Sequence, residues 1–129
     1  MDVYAEGLDR ARRICLGLPG AYQEQAWMGI RWMVRKRTFA HLLEIVDGLP
    51  RSFAASAGTK GPAAVLTFRA EPGELGAILS APGSFGPLWG RTDVGVRLPT
   101  YPDRDELAEL LVDIYRLRAP LTLVRGLEG

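Results

Sequence analysis

The run Arg35-Lys36-Arg37 concentrates more positive charge than any other three consecutive residues of this chain, and Arg31 and Trp32 lie just upstream. Arginine and lysine pair with phosphates, while an exposed tryptophan stacks on a base for roughly 1–3 kcal/mol. Arg31, Arg35, Lys36 and Arg37 are therefore the candidate nucleic-acid contact, with Arg12, Arg13 or Arg91 as possible additions. The same charges also suit a solvated turn that protects a sheet from edge pairing, and this reading stays open. A second set, Trp27, Trp32, Met33, Phe39 and Trp89, offers walls for a flat aromatic ligand. Trp89 sits in the Gly/Pro-rich stretch Ala81 to Gly90, which could close over such a ligand as a lid. The alternative is that three tryptophans simply fill a small core.

For catalysis the residues offer little. His41 is the one histidine and alternates with apolar neighbours, which suits a structural role. Without a second histidine or further cysteines there is no zinc-like cluster. Neither a G-x-S-x-G elbow nor a Walker-type loop is present. Asp105, Glu109 and Asp113 form an acidic stripe at helical spacing with Arg116 close by, as solvated helix faces do. Cys15 is flanked by apolar residues and reads as core. No catalytic residue, metal ligand or cofactor is assigned.

These residues belong to a chain of 129 residues, the usual size of one domain, and residues 1–129 are read as a single domain. A hydrophobic content of 47% against 24% charged argues for a globular core and against long disorder. One cysteine cannot form an internal disulfide, which suits a reducing cytoplasm. No apolar run is long enough to span a membrane, and the N-terminus lacks a signal pattern. A net charge of +1 is far below that of a DNA-coating protein, so any nucleic-acid role must rest on a local patch. A monomer or weak dimer is expected.

The elements that must position the basic run follow from periodicity. Tyr4, Leu8, Ala11, Cys15 and Leu18 mark one face of a first helix, which Pro19-Gly20 ends. Trp27 to Val46 reads as a β-hairpin with Arg35-Lys36-Arg37 at its bend. Strict alternation puts Ile30, Trp32 and Val34 on one face, and groups Phe39 with His41, Leu43 and Ile45 in the returning arm. With no glycine at the bend, a turn wider than two residues is expected. Arg51 to Pro62 reads as a mobile loop, and Ala63 to Arg69 as a strand. A short helix with Leu75, Ile78 and Leu79 inward opens at Glu71-Pro72. A strand follows around Val94 to Leu98. Asp103 and Glu106 start a last helix with Leu107, Leu110, Leu111, Ile114 and Leu117 on its core face. The tail from Leu121 is expected to add a short strand or lie on the surface. The fold class is α+β, a mainly antiparallel sheet with N-terminal, middle and C-terminal helices packed on one face of it.

The ordered set of segments resembles the MmcQ/YjbR family, small bacterial proteins with a fold similar to that of the CyaY/frataxin group. The resemblance runs from Cys15-Leu16-Gly17-Leu18-Pro19-Gly20, close to the family's "LALPG", through Trp32 to Ala40, similar to "FRVxGKxFA". It closes with Val94 to Leu98 and the helix from Glu106 to Leu117. The chain departs from the family's pattern at Lys36 or Arg37, where glycine is common, at Thr67, where lysine is, and at Asp93, where an aromatic residue is. The loop 51–62 is also longer. The resemblance implies a non-enzymatic binding protein. The family is commonly labelled DNA-binding from a "double wing" reading of its hairpins, and some relatives lie among antibiotic-biosynthesis genes. Nucleic acid is thus the first expected partner, and an aromatic small molecule held in a tryptophan-lined cleft the second.

Overall fold

A computed structural model describes residues 3–86, 92–99 and 103–127. The fold is α+β: six strands form one antiparallel sheet in the order β1-β2-β3-β4-β6-β5. The strands are β1 (Tyr22–Gln25), β2 (Ile30–Val34), β3 (Arg37–Ile45), β4 (Ala63–Arg69), β5 (Ser84–Phe85) and β6 (Asp93–Leu98). The helices are α1 (Val3–Leu16), α2 (Arg51–Ala57), α3 (Leu75–Ser80, entered through a 3-10 turn at Pro72–Glu74), α4 (Arg104–Arg118) and α5 (Leu121–Gly126). No described helix is long and apolar enough to cross a membrane.

The larger core lies between one sheet face and α1 and α4. Ala11 and Cys15 of α1 and Leu107, Leu111, Ile114 and Tyr115 of α4 meet Trp32, Leu42, Leu66, Phe68 and Val94. Gly7 lets α1 approach the sheet, since a Cβ there would stand 3.2 Å from Leu98 Cδ1. The outer face of α1 carries the ion pairs Glu6–Arg10 and Asp9–Arg13, at the i,i+4 spacing that supports a helix. Asp103 caps α4 by accepting from the Glu106 amide at 3.0 Å, as the capping pattern predicts. The Tyr115 hydroxyl donates to the Pro19 carbonyl at 2.6 Å and ties α4 to the end of α1.

The segment expected to be a mobile loop contains α2, which covers the sheet face opposite α1 and α4. Its Phe53 and Ala54 pack on Leu43, Ile45, Ala63, Val65 and Phe85. Five small residues with one aromatic anchor suffice, and Gly58 closes the helix at φ 69 with its amide bonded back to the last turn. Helices therefore cover both faces instead of one. The tail from Leu121 is likewise a helix, α5, with Leu123 against the larger core.

Candidate functional site

The hairpin bend is a two-residue turn. Val34 pairs directly with Arg37, leaving Arg35 and Lys36 as the loop, with φ 50 and φ 67. Positive φ at both central positions is the hairpin geometry whose twist matches that of the strands, and glycine or asparagine normally fills it. The expected wider bend is thus corrected: two long cations occupy left-handed backbone that their Cβ atoms disfavour. The turn is held in place by Tyr22 of β1, whose hydroxyl oxygen accepts from the Lys36 amide at 3.2 Å. Arg35, Lys36 and Arg37 are all exposed, and none makes an ion pair among the described residues.

Below the tip, β3 carries a β-bulge. Trp32 pairs with Ala40 and Met33 with Thr38, so Phe39 is the extra residue. Strict alternation fails here. Phe39 joins Ala40 and Leu42 on the side of α4, where its ring meets Tyr115 edge-on at 5.5 Å and 88°. His41, Leu43 and Ile45 keep the opposite face.

That opposite face carries a polar row across the ladder, from Glu24 through Arg31 and His41 to Thr67. Cross-strand partners share a face, so these side chains meet. Arg31 Nη2 donates to Glu24 Oε2 at 2.8 Å. His41 Nε2 donates to the Met28 carbonyl, which fixes its tautomer and leaves Nδ1 to accept from the Thr67 hydroxyl at 3.3 Å. Burial, aided by the Arg31 charge, lowers the His41 pKa from its ordinary 6.5, while the Met28 bond opposes the shift. The loop 26–29 between β1 and β2 folds over this row, and Gly29 (φ 78) passes so close to the Leu42 carbonyl that no Cβ would fit.

The candidate residues within the described part of the chain take these places. Arg31 is committed to Glu24 and leaves the free basic patch, which shrinks to Arg35, Lys36 and Arg37. Trp32 is 0% exposed, and its indole N–H donates to Gln23 Oε1 at 3.1 Å. The same oxygen accepts from Arg12 Nε. Phe39 is 1% exposed, and Met33 is buried. Trp32 and Met33 give no wall to a ligand because they are parts of the packed interior, and Phe39 borders only a cleft that holds no tryptophan. Trp27, on the loop 26–29, is 91% exposed and so separated from them. Trp89 and Arg91 lie outside the described residues. The tryptophan-lined cleft is therefore not assembled by Trp27, Trp32, Met33 and Phe39. Cys15 is buried, and desolvation holds its thiol in the protonated, unreactive form. Asp105, Glu109 and Asp113 are exposed on α4, and the described residues contain no cluster of three or more metal-ligating side chains.

Sequence reasoning missed a cleft of about 300 Å³ at the tip end of the sheet. Thr38, His41 and Thr67 line it from the strands, and Arg31, Arg69 and Arg118 bring three guanidiniums against one carboxylate, Asp93. Arg69 and Asp93 face each other across β4 and β6 yet form no ion pair. Burial depresses the basicity of Arg118, as do neighbouring Arg69 and Arg37; Asp93 acts the other way. The only signal in the sequence was that each cation lies at an element end, Arg69 closing β4 and Arg118 closing α4.

No protein-family model matches the chain, and no curated protein matches it. Among solved structures, it is similar to the crystal structure of a protein from Pseudomonas syringae from a structural genomics programme. The two share 15% identity and a TM-score of 0.63 over 88% of this chain and 96% of that one. Likeness at that identity shows a shared α+β fold.

Proposed function

We propose that this chain is a non-enzymatic, cytoplasmic nucleic-acid-binding protein that grips the phosphate backbone with Arg35, Lys36 and Arg37. The observation that carries the reading is the tip itself. Three exposed cations, free of ion pairs among the described residues, stand on a tight turn whose two central residues, Arg35 and Lys36, hold a backbone geometry that glycine would fill more easily. Strain of this kind concentrates where side-chain identity matters more than stability. The Tyr22 hydroxyl that holds the turn makes the tip a rigid presenter of charge. With a net charge of only +1, the protein would bind through this local patch. The resemblance to the MmcQ/YjbR family points the same way, and the single buried cysteine fits a reducing compartment. Trp27 is an exposed aromatic residue with a face free to stack on a base, a role Trp32 cannot take. A tryptophan-lined cleft for a small molecule has no comparable support among the described residues, since Trp32 and Met33 are buried and Trp27 stands apart from them.

The test is a titration of duplex and single-stranded DNA and RNA at several salt concentrations. Three phosphate contacts give a log–log salt slope of about −2 to −3. Arg35→Glu with Arg37→Glu should abolish binding while the melting curve stays cooperative. Absence of salt-sensitive binding to every duplex and single strand would refute the reading.

A further inference from the structure

We propose that the arginine-walled cleft behind the tip seats a terminal phosphate monoester, clamped by Arg69 and Arg118 with Thr38 as a neutral donor. A strand's internal phosphates can lie along an exposed tip. A recess of about 300 Å³ with walls from β3, β4 and α4 takes a group that ends in it. The charge has the matching sign: with Arg31 tied to Glu24, two uncommitted guanidiniums remain against Asp93. Arg69 is exposed and lacks an ion pair among the described residues, although Asp93 stands opposite it. Arg118 Nε has lost contact with water and finds no hydrogen-bond partner among the described residues. Clustered arginines with spare donors repel one another, and Arg69 and Arg37 add to the burial that chiefly lowers Arg118 basicity. An anion between them removes that repulsion. A phosphate monoester, with close to two charges at neutral pH and three terminal oxygens, fits two forked guanidiniums and a hydroxyl. His41 adds no donor, because both ring nitrogens are already bonded, and so acts as a neutral wall.

This goes beyond the backbone contact at the tip, and the two can fail separately. The shared chemistry has two sources, the end of a strand or a free nucleotide. The experiment compares a short single strand bearing a 5′-phosphate with its 5′-hydroxyl twin, alongside nucleoside monophosphate and inorganic phosphate by calorimetry. The phosphorylated strand, or nucleoside monophosphate if the source is a free nucleotide, should bind the wild type about tenfold more tightly than its unphosphorylated counterpart. Arg69→Gln should erase that preference. Because Arg69 is exposed, this variant should melt as the wild type does. Arg69→Lys, which keeps the charge and loses the fork, should retain part of it. Arg35→Glu with Lys36→Glu spares Arg37, the neighbour of Arg118, and should weaken both strands while leaving their ratio intact. Phosphate-dependent binding without any binding of the 5′-hydroxyl strand would support the cleft and count against the tip contact alone. Equal affinity of the twins with no heat from either small phosphate overturns the proposal, as does a phosphate preference that survives Arg69→Gln.

Discussion

Replacing Arg35-Lys36 by Asn-Gly should make the protein more stable and its hold on nucleic acid weaker. Both residues have positive φ, 50 and 67, which costs an L-residue with a Cβ roughly 1–2 kcal/mol. Glycine at position 36 relieves that strain but returns about 0.5–1 kcal/mol through the entropy of the unfolded chain. Asparagine at position 35 tolerates the left-handed region and adds a further fraction. The net gain is about 1 kcal/mol, or a rise of roughly 3–6 °C in Tm for a domain of this size. Urea denaturation should show a higher midpoint at unchanged slope, as expected when only the native turn relaxes. In the same variant the salt slope of strand binding should flatten by about two, because two cations are gone. A lower or unchanged midpoint refutes the claim that the turn is strained. A higher midpoint with undiminished affinity refutes the claim that the strain serves binding.

Two further outcomes follow from the polar row and the loop above it. Gly29→Ala puts a Cβ onto the Leu42 carbonyl at a positive φ, so it should destabilise the fold by about 2–4 kcal/mol, read by thermal melting. Near-wild-type stability would show that the loop 26–29 does not need its close seat on β3. His41 has a folded pKa below 6.5, so at falling pH the unfolded chain takes up the proton first. Stability should be full above that value and decline as pH falls from it toward the folded pKa, and His41→Gln should lose that decline. Parallel pH profiles for the two proteins would count against a buried neutral His41.

The fold class was legible because its main signals are local. The spacing of Ala11 and Cys15, the alternation of Val94, Val96 and Leu98, and the Asp103 cap each report an element that the structure contains. The errors share one cause, residues whose conformation depends on partners distant in the chain. Phe39 breaks the period of its strand because Tyr115, far along the sequence, offers it a ring to pack on. The helix α2 has only Phe53 as a large apolar residue, so periodicity is silent and its burial against Phe85 decides. Pro50 before it and Gly58 after it were the available hints. The tip was found from charge alone, whereas its tightness comes from the Val34–Arg37 pairing, with the Lys36 amide bonded to Tyr22 of another strand. The cleft was invisible because Arg69, Asp93 and Arg118 come together only when β4, β6 and α4 are in place.

The bulge at Phe39 divides the hairpin into two registers. Below it, Arg31 and His41 pair in the frame that continues to Thr67; above it, Met33–Thr38 and Val34–Arg37 pair one residue out of step. The head of the hairpin is thus a cassette from Met33 to Thr38, joined to its stem at a seam that already tolerates an offset. The offset separates the exposed turn residues Arg35 and Lys36 from the stem's frame, while Met33 and Val34 stay anchored by burial.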